Sequence, residues 1–152
     1  RFLFKVVVPY PSADAEVTIL GRHHHGMDVH DPASAGVRQV AGIADIERGR
    51  LAVGRVRVDD TIIRYLVALA RATRETPSVS LGVSPRGAAA LLHATKAWAW
   101  LSGRDFATPD DVKAVAKPAL RHRLQIRAEA ALEGLTADRV IDNLLATVPA
   151  PR

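Results

Sequence analysis

The feature that most constrains this fold is the segment VDDTIIRYLVALARATRETP, residues 58–77, whose apolar side chains follow a helical period. Ile62, Leu66 and Leu69 recur at i, i+4 and i+7, which places them on one face of an α-helix. Asp59 is placed to cap the start of this helix, and the final proline of the segment is predicted to end it. Because one face is apolar and the other polar, the helix must pack against further helices.

The part of the chain before this helix is predicted to be less regular. Phe2–Pro11 is rich in β-branched and aromatic residues and predicts a short strand or an extended arm. Ser12 is the predicted N-cap of a helix that ends near Gly26, residues 27–40 predict a loop, and residues 44–54 predict a second helix. No later segment is predicted to be a strand, so a partner strand for the first segment would lie outside this chain.

A long apolar helix is predicted after the amphipathic one. It begins with Ser84 and Pro85, a helix-start signal, and it ends near Ser102, with Gly103 following it. The side chains predicted to point mostly inward are Leu91, Leu92, Ala94, Thr95, Trp98 and Leu101.

Two more helices complete the chain. The first has Thr108 as N-cap, Pro109 in its first turn and Asp111 as the acid of a capping box, and Pro118 is predicted to end it. The second lies in TADRVIDNLLATVPAPR, and its apolar side chains are Val140, Ile141, Leu144, Leu145 and Val148. The prediction is therefore a mainly α fold, a helical bundle preceded by a short strand or extended arm. The predicted domains are residues 1–11, residues 12–58 as connecting helices and loop, and residues 59–152 as the bundle.

The composition excludes several classes of protein. The chain has no cysteine, which removes disulfide frameworks and thiolate metal sites and is typical of a cytoplasmic protein. No apolar run approaches the ~20 residues of a membrane span. The formal net charge is +5, but the cations are mostly arginines scattered among acids, so we expect no nucleic-acid partner from charge alone.

Neither the histidines nor the acids predict a reactive site. His23–His25 are consecutive, and neighbouring residues of a helix point about 100° apart, so we predict no metal site there. The acid pairs Asp59–Asp60 and Asp110–Asp111 stand at helix starts, where carboxylates act as caps. The chain also lacks a G-x-x-x-x-G-K-[ST] phosphate loop, so we expect no nucleotide hydrolysis by these residues alone.

Arg86 is the residue whose position points most clearly to a ligand, and Arg1, beside Phe2 at the start of the chain, is a weaker candidate. Arg86 lies in the first turn of the predicted apolar helix, where the helix dipole already places partial positive charge. Side chains on a helix lean toward its N-terminus, so the guanidinium would reach past the helix end, beside free backbone N–H groups. An anion such as phosphate would be bound by both, whereas the alternative is a solvated surface arginine.

Three segments in order carry a family resemblance. RFLFKVVVPYPS resembles the end of the ATPase core of MoxR-type AAA+ proteins. The segment from SLGVSPRG through GRDFATPDDV to LRHRL resembles the helical lid of the same family, and TADRVIDNLLATVPAPR resembles its C-terminal end. The chain opens within an apolar run at Arg1 rather than at Met, and we expect a piece of a longer protein.

The resemblance implies a role for specific residues. Arg86 matches the sensor-2 arginine that contacts the γ-phosphate of ATP, with Ser84 beside it, and Arg1 matches an arginine finger directed at a neighbouring subunit. The intact protein is implied to use ATP and Mg²⁺ and to be a chaperone-like ATPase that forms a homo-oligomeric ring, often a hexamer. Its implied partners are the ATPase core of the same chain and a protein with a von Willebrand factor A domain. No cofactor is expected on the fragment alone, because Walker A and Walker B are absent.

A second hypothesis uses the basic segment RHRLQIR, Arg121–Arg127. A free-standing helical module could contact nucleic acid or protein through this strip. The upstream reading frame distinguishes the two hypotheses, because a P-loop lysine and an acidic Walker B strand there would support the ATPase.

Overall fold

The computed structural model describes residues 2–28 and 30–151 of the chain. It divides into two compact units, residues 7–49 and a larger unit made of residues 1–6 and 50–152. Its elements are α1 (Ala13–His24), α2 (Ile43–Arg55), α3 (Asp60–Glu75), β1 (Val79–Leu81), α4 (Pro85–Leu101), α5 (Pro109–Leu120), β2 (Gln125–Ile126), α6 (Ala128–Leu132) and α7 (Ala137–Thr147).

The smaller unit contains α1 and the start of α2. The Ser12 hydroxyl accepts a hydrogen bond from the Ala15 N–H, which confirms the predicted N-cap, and Gly26 follows the helix with a φ of 81°. Neither helix contains a buried residue among those described. These two helices therefore owe little to a core of their own.

The larger unit contains the helices predicted to form the bundle. α4 packs on α3 and α5, and α7 also packs on α3 and α5. The Asp59 side chain caps α3 as predicted, by accepting a hydrogen bond from the Thr61 N–H. The apolar stripe of α3 is buried at the centre, where the core residues are Ile62, Tyr65, Leu66, Leu69, Ala70, Val83, Leu91, Ala94, Val112, Val115, Ala116, Ala119, Leu120 and Ile141. The mainly α prediction is confirmed.

A small antiparallel sheet corrects the expectation that no later segment forms a strand. β1 pairs with β2, with Val79 opposite Ile126 and Leu81 opposite Gln125. The strands are three and two residues long, too short to leave an alternating pattern in the sequence. Of the two alternatives for the first segment, the structure has the arm, because residues 2–11 contain no strand.

Two helix predictions were wrong in detail. Pro118 does not end α5, which continues to Leu120. A proline near the C-terminal end removes one backbone donor, and the helix tolerates this loss in its last turn. Trp98 and Leu101 were predicted to point mostly inward, but they are 45% and 70% exposed. α4 is apolar around most of its circumference, so the positions of α3 and α5, rather than its own pattern, decide which side is buried.

Among the described residues, every helix is too short or too polar to span a bilayer.

Candidate functional site

The start of α4 is the part of the bundle that carries the candidate site. The Ser84 hydroxyl accepts a hydrogen bond from the Gly87 N–H at 3.2 Å, and Pro85 occupies the first turn. Arg86 is exposed in that turn. The predicted capping signal is therefore confirmed, and the guanidinium is free to meet solvent or a ligand.

The loop before α4 is fixed to the end of α3 by buried hydrogen bonds. The Thr73 hydroxyl accepts from the Val83 N–H at 2.9 Å and donates to the Ala70 carbonyl at 2.6 Å. Arg74 Nε donates to the Val83 carbonyl at 2.7 Å. Since both polar groups of Val83 are bound to α3, the entry of the chain into α4 is held in one geometry.

Gly82 allows this close contact between loop and helix. A Cβ placed on Gly82 would lie 2.8 Å from the backbone N and Cα of Arg74, closer than side chains approach backbone. A larger residue would therefore push the loop, and with it the start of α4, away from α3.

An open groove of about 330 Å³ runs along α4 from Arg86. Arg86 and His93 belong to one exposed side of the helix, seven residues apart, and Arg123 reaches the groove from the segment after α5. The complete lining is Leu3, Arg86, Ala89, Ala90, His93 and Arg123. The groove has cationic side chains and no carboxylate in its lining, so it favours an anion.

The arm lies beside this groove and is tied to the end of α5. The Phe2 carbonyl accepts a hydrogen bond from Arg123 Nη2 at 2.7 Å, and His122 Nε2 lies 3.1 Å from the same oxygen. The Lys5 N–H donates to the Pro118 carbonyl at 2.9 Å. These contacts give Leu3 its place in the groove lining.

The acids at the start of α5 are structural, as predicted. Asp111 accepts hydrogen bonds from the Thr108 N–H at 2.8 Å and from Arg104 Nη1 at 2.6 Å. Burial raises the pKa of the Asp111 carboxyl, but the hydrogen bonds from Arg104 and Thr108 outweigh it, so the pKa is below its usual value. The same pairing raises the pKa of Arg104.

The structure brings Arg86 and Ser84 together, and it adds two residues that sequence reasoning missed. Arg123 and His93 line the groove with Arg86. LRHRL was part of the family resemblance, but nothing in its pattern connects Arg123 with Arg86, 37 positions earlier. Arg1 lies outside the described residues. Within the described ranges, no group of His, Cys, Asp and Glu could hold a metal ion.

Comparison with known proteins gives the class to which this architecture belongs. The AAA lid domain family matches residues 71–144. YeaC, an uncharacterized protein of Bacillus subtilis, is 37% identical over 99% of this chain and 46% of YeaC. The chaperone MoxR1 of Mycobacterium tuberculosis is 31% identical over 100% of this chain and 41% of its own length. A solved structure from Cytophaga hutchinsonii, assigned as an ATPase, superposes with a TM-score of 0.83 at 25% identity, over 100% of this chain and 47% of its own.

The fold and these matches define an AAA lid domain. The family resemblance is confirmed: residues 71–144 match the AAA lid domain family, and the chain is similar to MoxR proteins over almost its whole length. It spans less than half the length of each relative named above.

Proposed function

We propose that this chain is the ATP-responsive lid of a MoxR-type ATPase and that Arg86 contacts the γ-phosphate of ATP as sensor 2. The observation that carries this proposal is the placement of Arg86, exposed at the start of α4 in a groove without carboxylates. The phosphate would be held by an ATPase core, together with Mg²⁺, because the lid has neither a phosphate loop nor a metal-binding cluster among its described residues.

The chemistry of phosphoryl transfer explains why an arginine suits this position. Negative charge spreads over the equatorial phosphate oxygens in the transition state, and a guanidinium donates to two of them without losing its proton. Since the loop before α4 is fixed by Thr73 and Arg74, the backbone that carries Arg86 needs little rearrangement when the side chain meets its ligand. Contact in the ATP state and release after hydrolysis would then move the lid as one body.

The remaining features of the proposal come from the family. They are a homo-oligomeric ring, often a hexamer, a chaperone-like role, a cytoplasmic location and a partner with a von Willebrand factor A domain. Ser84 would contribute near the phosphate, although its hydroxyl already caps α4. Arg1 would act on the ATP of the neighbouring subunit, so Arg1→Ala should impair hydrolysis only in the ring.

Steady-state ATP turnover of the intact protein tests the Arg86 assignment. Arg86→Ala should lower kcat at least about 100-fold, because a charge-stabilising donor at the transition state is lost. Arg64→Ala is the matched control, since Arg64 is also an exposed arginine, on α3 and outside the groove lining, and it should keep the wild-type rate. An Arg86→Ala enzyme with unchanged turnover and an intact fold would remove Arg86 from the site.

The basic strip of the second hypothesis has intramolecular partners in the structure. Arg121 Nε lies 3.0 Å from Asp138 Oδ1, Arg123 binds the Ala119 and Phe2 carbonyls, and Arg127 Nε donates to the Pro77 carbonyl at 2.8 Å. Binding of nucleic acid or protein through this strip stays a prediction, and these contacts show that the three arginines also have structural roles within the chain.

A further inference from the structure

The groove beside α4 contains two arginines that come from different elements. Arg86 belongs to the first turn of α4, and Arg123 follows α5. Ala89 and Ala90 also line the groove, and their small side chains leave it open. Two guanidinium groups at one groove repel each other. A multiply charged anion bound by both groups would offset this repulsion, because each guanidinium would be attracted to the anion.

Arg123 is already held in position on the protein side. Its Nε donates to the Ala119 carbonyl at 2.9 Å and its Nη2 donates to the Phe2 carbonyl at 2.7 Å. These bonds use two of the five N–H donors of a guanidinium, and the other three have no partner within the described residues. A cation fixed in this way loses little entropy when a ligand binds.

Gly87 is the residue that lets Arg123 come close to α4. A Cβ on Gly87 would lie 3.3 Å from Arg123 Cδ and 2.7 Å from Val83 Cγ1. The absence of a side chain there lets the stem of Arg123 lie against the first turn of the helix, the turn that also contains Arg86.

Arg86 and Arg123 differ from several other cations of the bundle because they form no ion pair among the described residues. Seven ion pairs occur among the described residues, and they engage exposed cations such as Arg57 with Asp105 and Lys117 with Asp142. Neither Arg86 nor Arg123 takes part in an ion pair in that part of the chain. Their charges are therefore available together at one place.

We propose that Arg123 is a second phosphate-binding cation of the groove, so that an oligophosphate is recognised by Arg86 and Arg123 together. The inference rests on the proposed function, since it assigns a further contact to the same site. His93, seven residues after Arg86 on α4, also lines the groove. The ligand class is a linear oligophosphate with two or more linked phosphoryl groups, rather than a single orthophosphate.

Titration of the 152-residue chain with inorganic tripolyphosphate at low ionic strength tests this proposal. The readouts are the Kd by calorimetry and the NMR signals of the arginine Nε–H groups. We expect saturable shifts of the Arg86 and Arg123 signals, and a Kd raised about fivefold by Arg86→Gln or by Arg123→Gln. Orthophosphate should bind more weakly, and Arg64→Gln should bind like the wild type.

The outcomes separate this inference from the sensor-2 proposal. If Arg86→Gln weakens binding while Arg123→Gln does not and the Arg123 signal stays in place, Arg123 is excluded and the role of Arg86 stands. Absence of saturable binding to the wild-type chain would also overturn the inference, while ATP turnover of the intact protein still decides the role of Arg86. Because Arg123 supports the arm, its signal in the wild-type chain gives the answer even if Arg123→Gln unfolds.

Discussion

Arg104 Nη1 donates to Asp111 Oδ2 at 2.6 Å, and the Asp111 side chain that receives it is 2% exposed at the start of α5. The same oxygen accepts from the Thr108 N–H, so one carboxylate caps the helix and pairs with a cation. Asp111→Ala should lower the free energy of unfolding by about 3 kcal/mol, since it removes the cap and leaves Arg104 unpaired. Urea denaturation of the chain measures this loss.

Asp110→Ala is the control for that substitution. Asp110 is the neighbouring acid, its side chain is 86% exposed, and its partner Lys113 is also on the surface. An exposed pair contributes little, so the change should stay within about 0.5 kcal/mol. Equal losses for the two alanine variants would mean that the buried pairing has no special role.

The same pair predicts how stability depends on pH. Burial raises the pKa of Asp111, but the hydrogen bonds from Arg104 and Thr108 bring it below the ordinary value of 3.8. The folded state therefore releases this proton more readily than the unfolded state, and the carboxylate stabilises the fold above the ordinary pKa. This contribution is lost as the pH falls from about 3.8 through the lower folded-state pKa. Urea midpoints between neutral pH and about pH 2 should fall less steeply for Asp111→Asn than for the wild type. Parallel curves would contradict the assignment.

Gly82 should not tolerate a side chain. Gly82→Ala would place a Cβ 2.8 Å from the backbone of Arg74, which cannot move aside as a side-chain tip could. We expect a loss of about 2 kcal/mol in the free energy of unfolding. Gly54→Ala is the control, because Gly54 lies in α2 with nothing within 4 Å of its Cβ position, and it should be neutral or stabilising. Thermal unfolding of the two variants gives the comparison, and a tolerated Gly82→Ala would show that the loop is not held against α3.

The Thr73 hydroxyl should matter for both stability and the start of α4. Thr73→Val keeps the shape but leaves the buried Val83 N–H without its acceptor, which costs about 2 kcal/mol. Thr73→Ser retains the hydroxyl and should lose less. Hydrogen exchange at the Val83 amide reports the same bond directly, and it should become faster in Thr73→Val only. Unchanged protection in Thr73→Val would contradict the proposed anchoring of the loop.

Helix positions were predictable from local signals in this chain. The signals that mark a helix end lie within a few residues of that end, so they can be recognised in the sequence. In this chain they are the caps at Asp59, Ser84 and Thr108 and the glycine after α4. The β1–β2 pairing joins residues more than 40 positions apart and leaves no local pattern. The exposure of Trp98 could not be predicted for the same reason: the helices that pack against α4, and not its own sequence pattern, determine which side of α4 is buried.

The candidate site, like the fold, was predictable from the sequence only where its signal is local. Arg86 was found because a helix-start serine, a proline and an arginine follow one another at residues 84–86. Arg123 was not connected with it, because their proximity results from the packing of α4 on α5 and from the missing side chain at Gly87.

The most direct measurement is a structure of the intact protein bound to Mg²⁺ and a non-hydrolysable ATP analogue. The account predicts an Arg86 guanidinium nitrogen within about 3 Å of a γ-phosphate oxygen. An Arg86 side chain turned to solvent in that complex, with the phosphate bound by other residues, would contradict it.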